Sequence, residues 1–311
     1  MARTELFSRK QPGGVFTITG VGNHPGDVYF VHAGTGTDAA GYGQNPDAPV
    51  ATIDYAVGLC ADSKNDVIYV MPGHTETVSA AAGIDLDKIG ISVIGLGQGN
   101  LRPTITIATD TLADIDVDAA SVTLKNLRFV VNVASLDALI DVNAAGFTME
   151  DCDFYGNDAA NEAPDITVIT DANANEMTIR RCTFNYLVTL DGTAITATPT
   201  ECIRLVGADH AVIEECYIGG DFTTSAINGI TTASKDIQIL RNRIHNLATE
   251  DIAGVVDLVA ACNGVIGYNY GFIGYATGLA TVIDPSSCAM IENFFSNVVT
   301  EAGGLVGTRS T

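Results

Sequence analysis

The sequence predicts an all-β solenoid, a single-stranded right-handed parallel β-helix with a short N-terminal capping helix. Three observations predict it: one apolar template recurs seven times, its interval suits a single coil, and like residues fall at the same template position from copy to copy. The seven copies are SVTLKNLRF, GFTMEDCDF, EMTIRRCTF, HAVIEECYI, DIQILRNRI, NGVIGYNYG and CAMIENFFS. Their central residues are Leu124, Met149, Ile179, Ile213, Ile239, Ile266 and Ile291, spaced 25, 30, 34, 26, 27 and 25 residues apart.

Around that centre the template reads as two short strands joined by a bend. Two residues earlier stand Val122, Phe147, Met177, Ala211, Ile237, Gly264 and Ala289, the alternation of an inward face. Three residues later come Leu127, Cys152, Cys182, Cys216, Asn242, Asn269 and Phe294, an odd step that implies a bend. Rungs of a parallel solenoid lie about 4.8 Å apart, so these positions stack into ladders. Asn242 and Asn269 are placed to bond amide to amide. Phe129, Phe154, Phe184, Ile218 and Ile244 form a further apolar stack, broken at Gly271 and Ser296. A second strand precedes each copy, with Val117, Val142, Val206 and Val259 seven residues before the centre. Insertions fall in turns such as NDAANEAPD and LVTLDGTAITATPTE, where length is tolerated.

Upstream, VIYVMPGHTETV and GISVIGLGQGNLRPTITI supply the first two coils. TIDYAVGLCA is a short helix near residues 52–60, with Thr52 as N-cap and Ile53, Ala56, Val57 and Cys60 on one face to cover the open apolar end. The chain divides into an extended arm over 1–27, the solenoid over 28–300 and a tail over 301–311. The stretch from Val28 to Val31, the Gly/Asp loop Gly34 to Gly43, Ala48-Pro49, the helix and Pro72-Gly73 together resemble the opening of pectate-lyase-like β-helix proteins. That superfamily holds pectate and pectin lyases, polygalacturonases, tailspike depolymerases, adhesins and non-catalytic phage virion proteins, so the resemblance implies a fold and not an activity.

Composition narrows the partners. The chain carries 37 acidic and 15 basic residues, net charge −22, which opposes nucleic acid and anionic membrane. The start, MARTELFSRKQPGG, is locally basic and has no apolar core of a signal peptide. The seven cysteines lack metal-ligand spacing and read as reduced core residues, and the five histidines are scattered, so no metal or cofactor is expected. Asp38 and Asp47 suit a turn and a cap before a cation. None of the Asn-Thr-Asp, Asp-Asp, Gly-His-Gly or Arg-Ile-Lys motifs of polygalacturonase-like proteins occurs. The nearest catalytic candidates are Asp151, Asp153, Arg241 and Arg243, with Glu214, Glu215 and His245 beside them. Charges at the two positions after the centre run Lys125, Glu150, Arg180, Glu214 and Asn126, Asp151, Arg181, Glu215, Arg241. Such alternation predicts axial ion pairs.

The resulting expectation is a non-enzymatic structural protein of a phage particle, a capsid decoration or a tail or fibre component. It is anchored by Arg3, Phe7, Arg9, Lys10, Val15 and Phe16 of the arm. Its partners are coat or tail proteins and sister copies, a homotrimer by resemblance, with Tyr268, Tyr270 and Tyr275 as the subunit contact. Synthesis in the host cytoplasm and residence in the virion go with that reading. The alternative is a polysaccharide lyase or hydrolase, or an adhesin that binds a glycan; the absence of Trp weighs against a sugar cleft.

Overall fold

The computed structural model describes residues 26–157, 162–248, 254–274, 282–297 and 304–306. Three sheets wrap one continuous core. Sheet I runs from Val28–Val31 and Val67–Val70 through Thr123–Lys125, Thr148–Glu150 and Thr178–Arg180 to Ala289–Ile291. Sheet II follows it in each coil, from Thr75–Val78 through Arg128–Asn132 and Asp153–Gly156 to Asn293–Asn297. Sheet III closes the coil, from Ile84–Asp85 through Ile115–Val117 and Leu136–Val142 to Ile283–Asp284. Neighbouring rungs pair parallel and in register, as Leu124, Met149, Ile179 and Ile213 do in sheet I. Gly304–Val306, in the stretch assigned to a tail, pairs antiparallel with Asn293–Phe295.

The last coil is registered one residue earlier than its apolar pattern suggests. Met290, not Ile291, stands over Ile266, and Ile291 faces outward. Cys288 therefore replaces Ala289 inside, Asn293 replaces Phe294 at the bend, and Phe295 resumes the apolar stack over Gly271. Adjacent apolar residues made two registers look equal. The amide bonds of Asn293 decide between them: its Oδ1 accepts from Asn269 N at 3.1 Å, and its Nδ2 donates to Ile266 O at 3.0 Å. In sheet III, Leu205 and Leu258 continue the column expected of Val206 and Val259, because the following turns are longer there.

Stacking is tight in the core. Phe129, Phe154 and Phe184 lie with ring centroids 4.8 and 4.7 Å apart and ring planes nearly parallel. The stack gives way at Gly271 because the strand runs against its neighbour there; a Cβ at that position would sit 1.7 Å from Ile244 O. All seven cysteines are buried and free. Burial pushes the Cys182 thiol up, and Cys152 and Cys216 on the rungs either side add to it.

A single left-handed residue makes the bend from sheet I to sheet II. Asn126, Asp151, Arg181, Glu215, Arg241 and Tyr268 all have φ between 53° and 58°. That conformation costs a non-glycine residue about 1–2 kcal/mol. It also aims each N–H along the axis. Asn126, Asp151, Arg181, Glu215, Arg241 and Tyr268 donate to Glu150, Arg180, Glu214, Leu240, Gly267 and Ile291 carbonyls at 2.9–3.2 Å, so the backbone ladder continues through the turn. Behind the bend the amide ladder is three residues long. Asn242 Oδ1 accepts from Cys216 N at 3.0 Å, Asn269 Oδ1 from Asn242 N at 2.9 Å, and Asn293 Oδ1 from Asn269 N.

At the amino-terminal end, Ile53–Leu59 is the helix, with Thr52 accepting from Tyr55 N and Ile53, Ala56 and Val57 buried in the core. The first rung of sheet II puts Glu76 over Ile105, in the column that Phe129 continues. A carboxylate stands there because it accepts the first helical N–H, Ile53 N, at 3.0 Å. His74, fully buried, contacts Glu76 through Nε2 at 3.1 Å and accepts from Ala33 N at Nδ1. Asp38 accepts from Ala51 N, Thr52 N and the Thr52 hydroxyl, the turn-and-cap role.

Replacing Asn269 by alanine removes two accepted bonds and two donated bonds from a buried site. Guanidinium unfolding is expected to show a loss of about 2–4 kcal/mol. Cys182→Ala, which removes only weak thiol donors, should lose less.

Candidate functional site

The residues that chemistry singles out lie along the bend between sheets I and II and on the outer face of sheet II. The bend makes outward side chains of successive coils stack, so charge sign is read along the axis. Lys125 Nζ donates to Glu150 at 2.9 Å, Arg180 bonds the other oxygen of Glu150, and Arg180 approaches Glu214 at 3.7 Å. In the next column Arg181 Nε donates to Asp151 at 2.7 Å, and Arg241 bonds both Glu214 and Glu215. The predicted alternation is therefore a continuous ion-pair ladder over five coils, from Lys125 to Arg241.

Its electrostatics follow from its geometry. Burial disfavours charge on Glu150, yet the hydrogen bonds and charges of Arg180 and Lys125 outweigh that, and its pKa falls to about 2. The Arg181 hydrogen bond holds Asp151 below the usual carboxylate range, and Asp151 in turn raises Arg181. The ion pairs thus favour the charged forms of Glu150 and Asp151 and of Arg180 and Arg181.

The four catalytic candidates are not brought together. Asp151 and Arg241 share one column and Asp153 and Arg243 another, but three rungs separate the members of each pair, about 14 Å. Asp153 is bonded to Arg102, which sequence reading missed because it sits outside the repeat. A groove of about 390 Å³ opens beside them, lined by Ile94, Gln98, Arg102, Lys125, Asn126 and Asp151.

The carboxyl-terminal coils carry a different surface. Tyr217, Arg243, Tyr270 and Phe294 stand in register on sheet II. The Arg243 guanidinium lies 5.4 Å from the Tyr217 ring centroid and donates Nε to His245 Nε2 at 3.1 Å. Burial and the Arg243 charge lower the His245 pKa, which favours the neutral imidazole. Tyr268 occupies the bend and Tyr270 the sheet face; both are exposed, as is Phe294. Tyr217 and Phe294 belong to this surface by position four after the centre, a column visible only with the last coil correctly registered. Tyr275 and the arm residues Arg3, Phe7, Arg9, Lys10, Val15 and Phe16 lie outside the described residues.

A third group was missed altogether. Asp85, Asp116 and Asp141 stack in register on sheet III. Burial first, then Asp114 and Asp141, raises Asp116 to about 6, and burial and acidic neighbours raise Asp85 and Asp141 as well. The signal was Ile-Asp followed by an apolar residue at Ile84, Ile115 and Ile140, read only for its valines.

No family model matches the chain, and no curated protein does. Solved structures do. A rhamnogalacturonan lyase superposes with TM-score 0.53 at 14% identity, over 80% of this chain and 69% of its own. Pectate lyase Pel9A gives 0.51 at 12% identity, over 88% and 78%. A variant of sacteLam55A from Streptomyces sp. SirexAA-E, in complex with glucose, gives 0.55 at 10% identity over 80% of this chain, which spans about half (49%) of that protein. The fold is thus the pectate-lyase-like right-handed parallel β-helix.

Two titrations separate the charged faces. Glu150→Gln is expected to cost about 2 kcal/mol at neutral pH. Because the folded pKa is depressed, that difference from wild type should shrink as pH falls from about 4.5 toward 2, when wild-type Glu150 also loses its charge. Asp116 has a raised folded pKa, so it opposes folding increasingly as pH rises from about 4 through about 6. Asp116→Asn should therefore raise the melting temperature more at pH 7.5 than at pH 4.5; an equal shift at both would count against the stacked-carboxylate account.

Proposed function

We propose that the chain is a stiff, non-catalytic structural β-helix of a phage particle, with the Ile53–Leu59 helix as the lid of its core and residues 1–27 as its attachment arm. The observation that carries the non-catalytic reading is the ion-pair ladder. Glu150 and Asp151 pair with Arg180 and Arg181, and Arg241 with Glu214 and Glu215, along the axis, in a pattern that pins coil to coil. An arm with Arg3, Arg9 and Lys10 on a body of net charge −22 suits attachment to an acidic coat or tail surface that the body itself would avoid. Residence in the virion and coat, tail or sister subunits as partners belong to the same proposal.

A second reading, glycan binding with or without cleavage, is supported by Arg243, which has no carboxylate partner among the described residues and stands over Tyr217 beside exposed Tyr270. The two readings differ in what the arm does. Charge reversal of Arg3, Arg9 and Lys10 together should abolish co-sedimentation with particles and leave the melting temperature unchanged. Reducing-sugar and unsaturated-uronate assays over a polysaccharide panel should show no turnover; turnover that Arg243→Ala removes would overturn the structural reading.

A further inference from the structure

We propose that residues 15–21 of this chain, VFTITGV, dock across the outer face of sheet I at its first three rungs, cover an apolar strip there, and so fix residues 1–14 to the amino-terminal end of the rod. The docking stands whatever residues 1–14 attach to.

The strip continues the column that carries the ion pairs. Lys125 and Glu150 stand at an outward position of sheet I, and the register leads that column back through Ile94 and Tyr69 to Phe30. It is charged from Lys125 to Glu214 and apolar in the three rungs before. The outward positions alongside follow suit: Val28 on the rung of Phe30, Val67 and Met71 on that of Tyr69, Leu96 on that of Ile94. These seven side chains form an apolar cluster separate from the core.

Their burial requires a cover. Phe30, Val67 and Tyr69 are 1%, 6% and 0% exposed, whereas the side chain of Lys125 in the same column is 40% exposed. A single layer of side chains on a sheet cannot keep water from its own outer side; that takes a second layer. Among the described residues the cluster draws only on sheet I and the residues that directly follow its strands. The Tyr69 hydroxyl is buried as well, without a hydrogen-bond partner among the described residues, and burial raises its pKa.

The chain's own connectivity selects the occupant. Residues 1–25 run directly into Gly26 and then into Val28–Val31, the first strand of this face. The stretches 158–161, 249–253 and 275–281 each follow a strand of sheet II and precede one of sheet III, away from it. Those after Asn297 adjoin the last of ten rungs, about 43 Å along the axis. Within 1–25, VFTITGV is the apolar run, rich in strand-forming residues and without a charge, as a dry strip demands. In an extended segment Phe16 and Ile18 alternate onto one side. Gly20, Gly22, Asn23 and Pro25 supply a reversal before Val28. The seven residues from Val21 to Val28 reach about 23 Å, and three rungs span only about 10 Å. Arg3, Arg9 and Lys10 all precede the run, beyond Gly13 and Gly14.

Thermolysin digestion of the full chain with mass spectrometry tests it, since this protease cuts before accessible Val, Ile and Phe. Wild type is expected to resist cutting within residues 15–21. Phe16→Asp with Ile18→Asp should lose that protection and gain binding of an apolar-surface dye, with unchanged circular dichroism. Ile94→Glu with Leu96→Glu, on the strip and not on the segment, should lose the same protection. Deletion of residues 1–14 should leave it in place. Rapid cutting of wild type within 15–21 overturns the proposal, as does protection that Phe16→Asp with Ile18→Asp retains. So does a wild-type oligomer in sedimentation velocity that the same two substitutions dissolve, because the cover would then come from a second copy. A chain reversed at Arg3, Arg9 and Lys10 that keeps both its protection and its particle binding would instead sink the attachment reading and leave this one standing.

Discussion

The left-handed residue between sheets I and II governs the rest of the architecture. It turns the chain sharply with one residue, and it keeps that residue's N–H pointing at the next coil. A wider turn would splay the outward side chains and leave backbone donors to water. Because the turn is the same from Asn126 to Tyr268, everything attached to it falls into columns: thiols and amides inside, ions outside. The steric penalty at Asp151, Arg181, Glu215 and Arg241 is offset where it arises, by the axial hydrogen bond beneath and the ion pair above.

This regularity sorts an acidic protein into faces. On the bend, carboxylates alternate with cations and are held ionised; on sheet III, Asp85, Asp116 and Asp141 meet like charges and are pushed toward the neutral form. The same solenoid geometry causes both, because stacking amplifies whichever sequence is stacked. Raised carboxylates and ion pairs are thus separated onto different surfaces of one rod, and of the residues that look most catalytic in the sequence Asp151, Asp153 and Arg241 are held in ion pairs.

Much of this was legible beforehand, for a physical reason: in a parallel solenoid, sequence repeat and spatial neighbour are the same relation. Met149 over Leu124, Phe154 over Phe129 and Arg181 over Asp151 could all be read from the template. The reading failed where apolar pattern alone left the register undecided, as with Met290 and Ile291, and polar bonding chose. It failed again where turns lengthen before Ile213 and Ile266. For the candidate site, the ion-pair partners were visible, but Arg102, Glu76 and His74 were not, since each acts across elements that the repeat does not relate.

The amide ladder has a direction. Each Asn accepts, through its side-chain oxygen, the N–H of the coil before it: Asn242 for Cys216, Asn269 for Asn242, Asn293 for Asn269. The left-handed turns obey the same rule, each N–H answered by a carbonyl one coil further on. Each coil therefore carries turn and amide-ladder donors that only the following coil answers, while its strand donors also reach back to the coil before, so a rod cut between two coils would leave the donors of its last bend open to water.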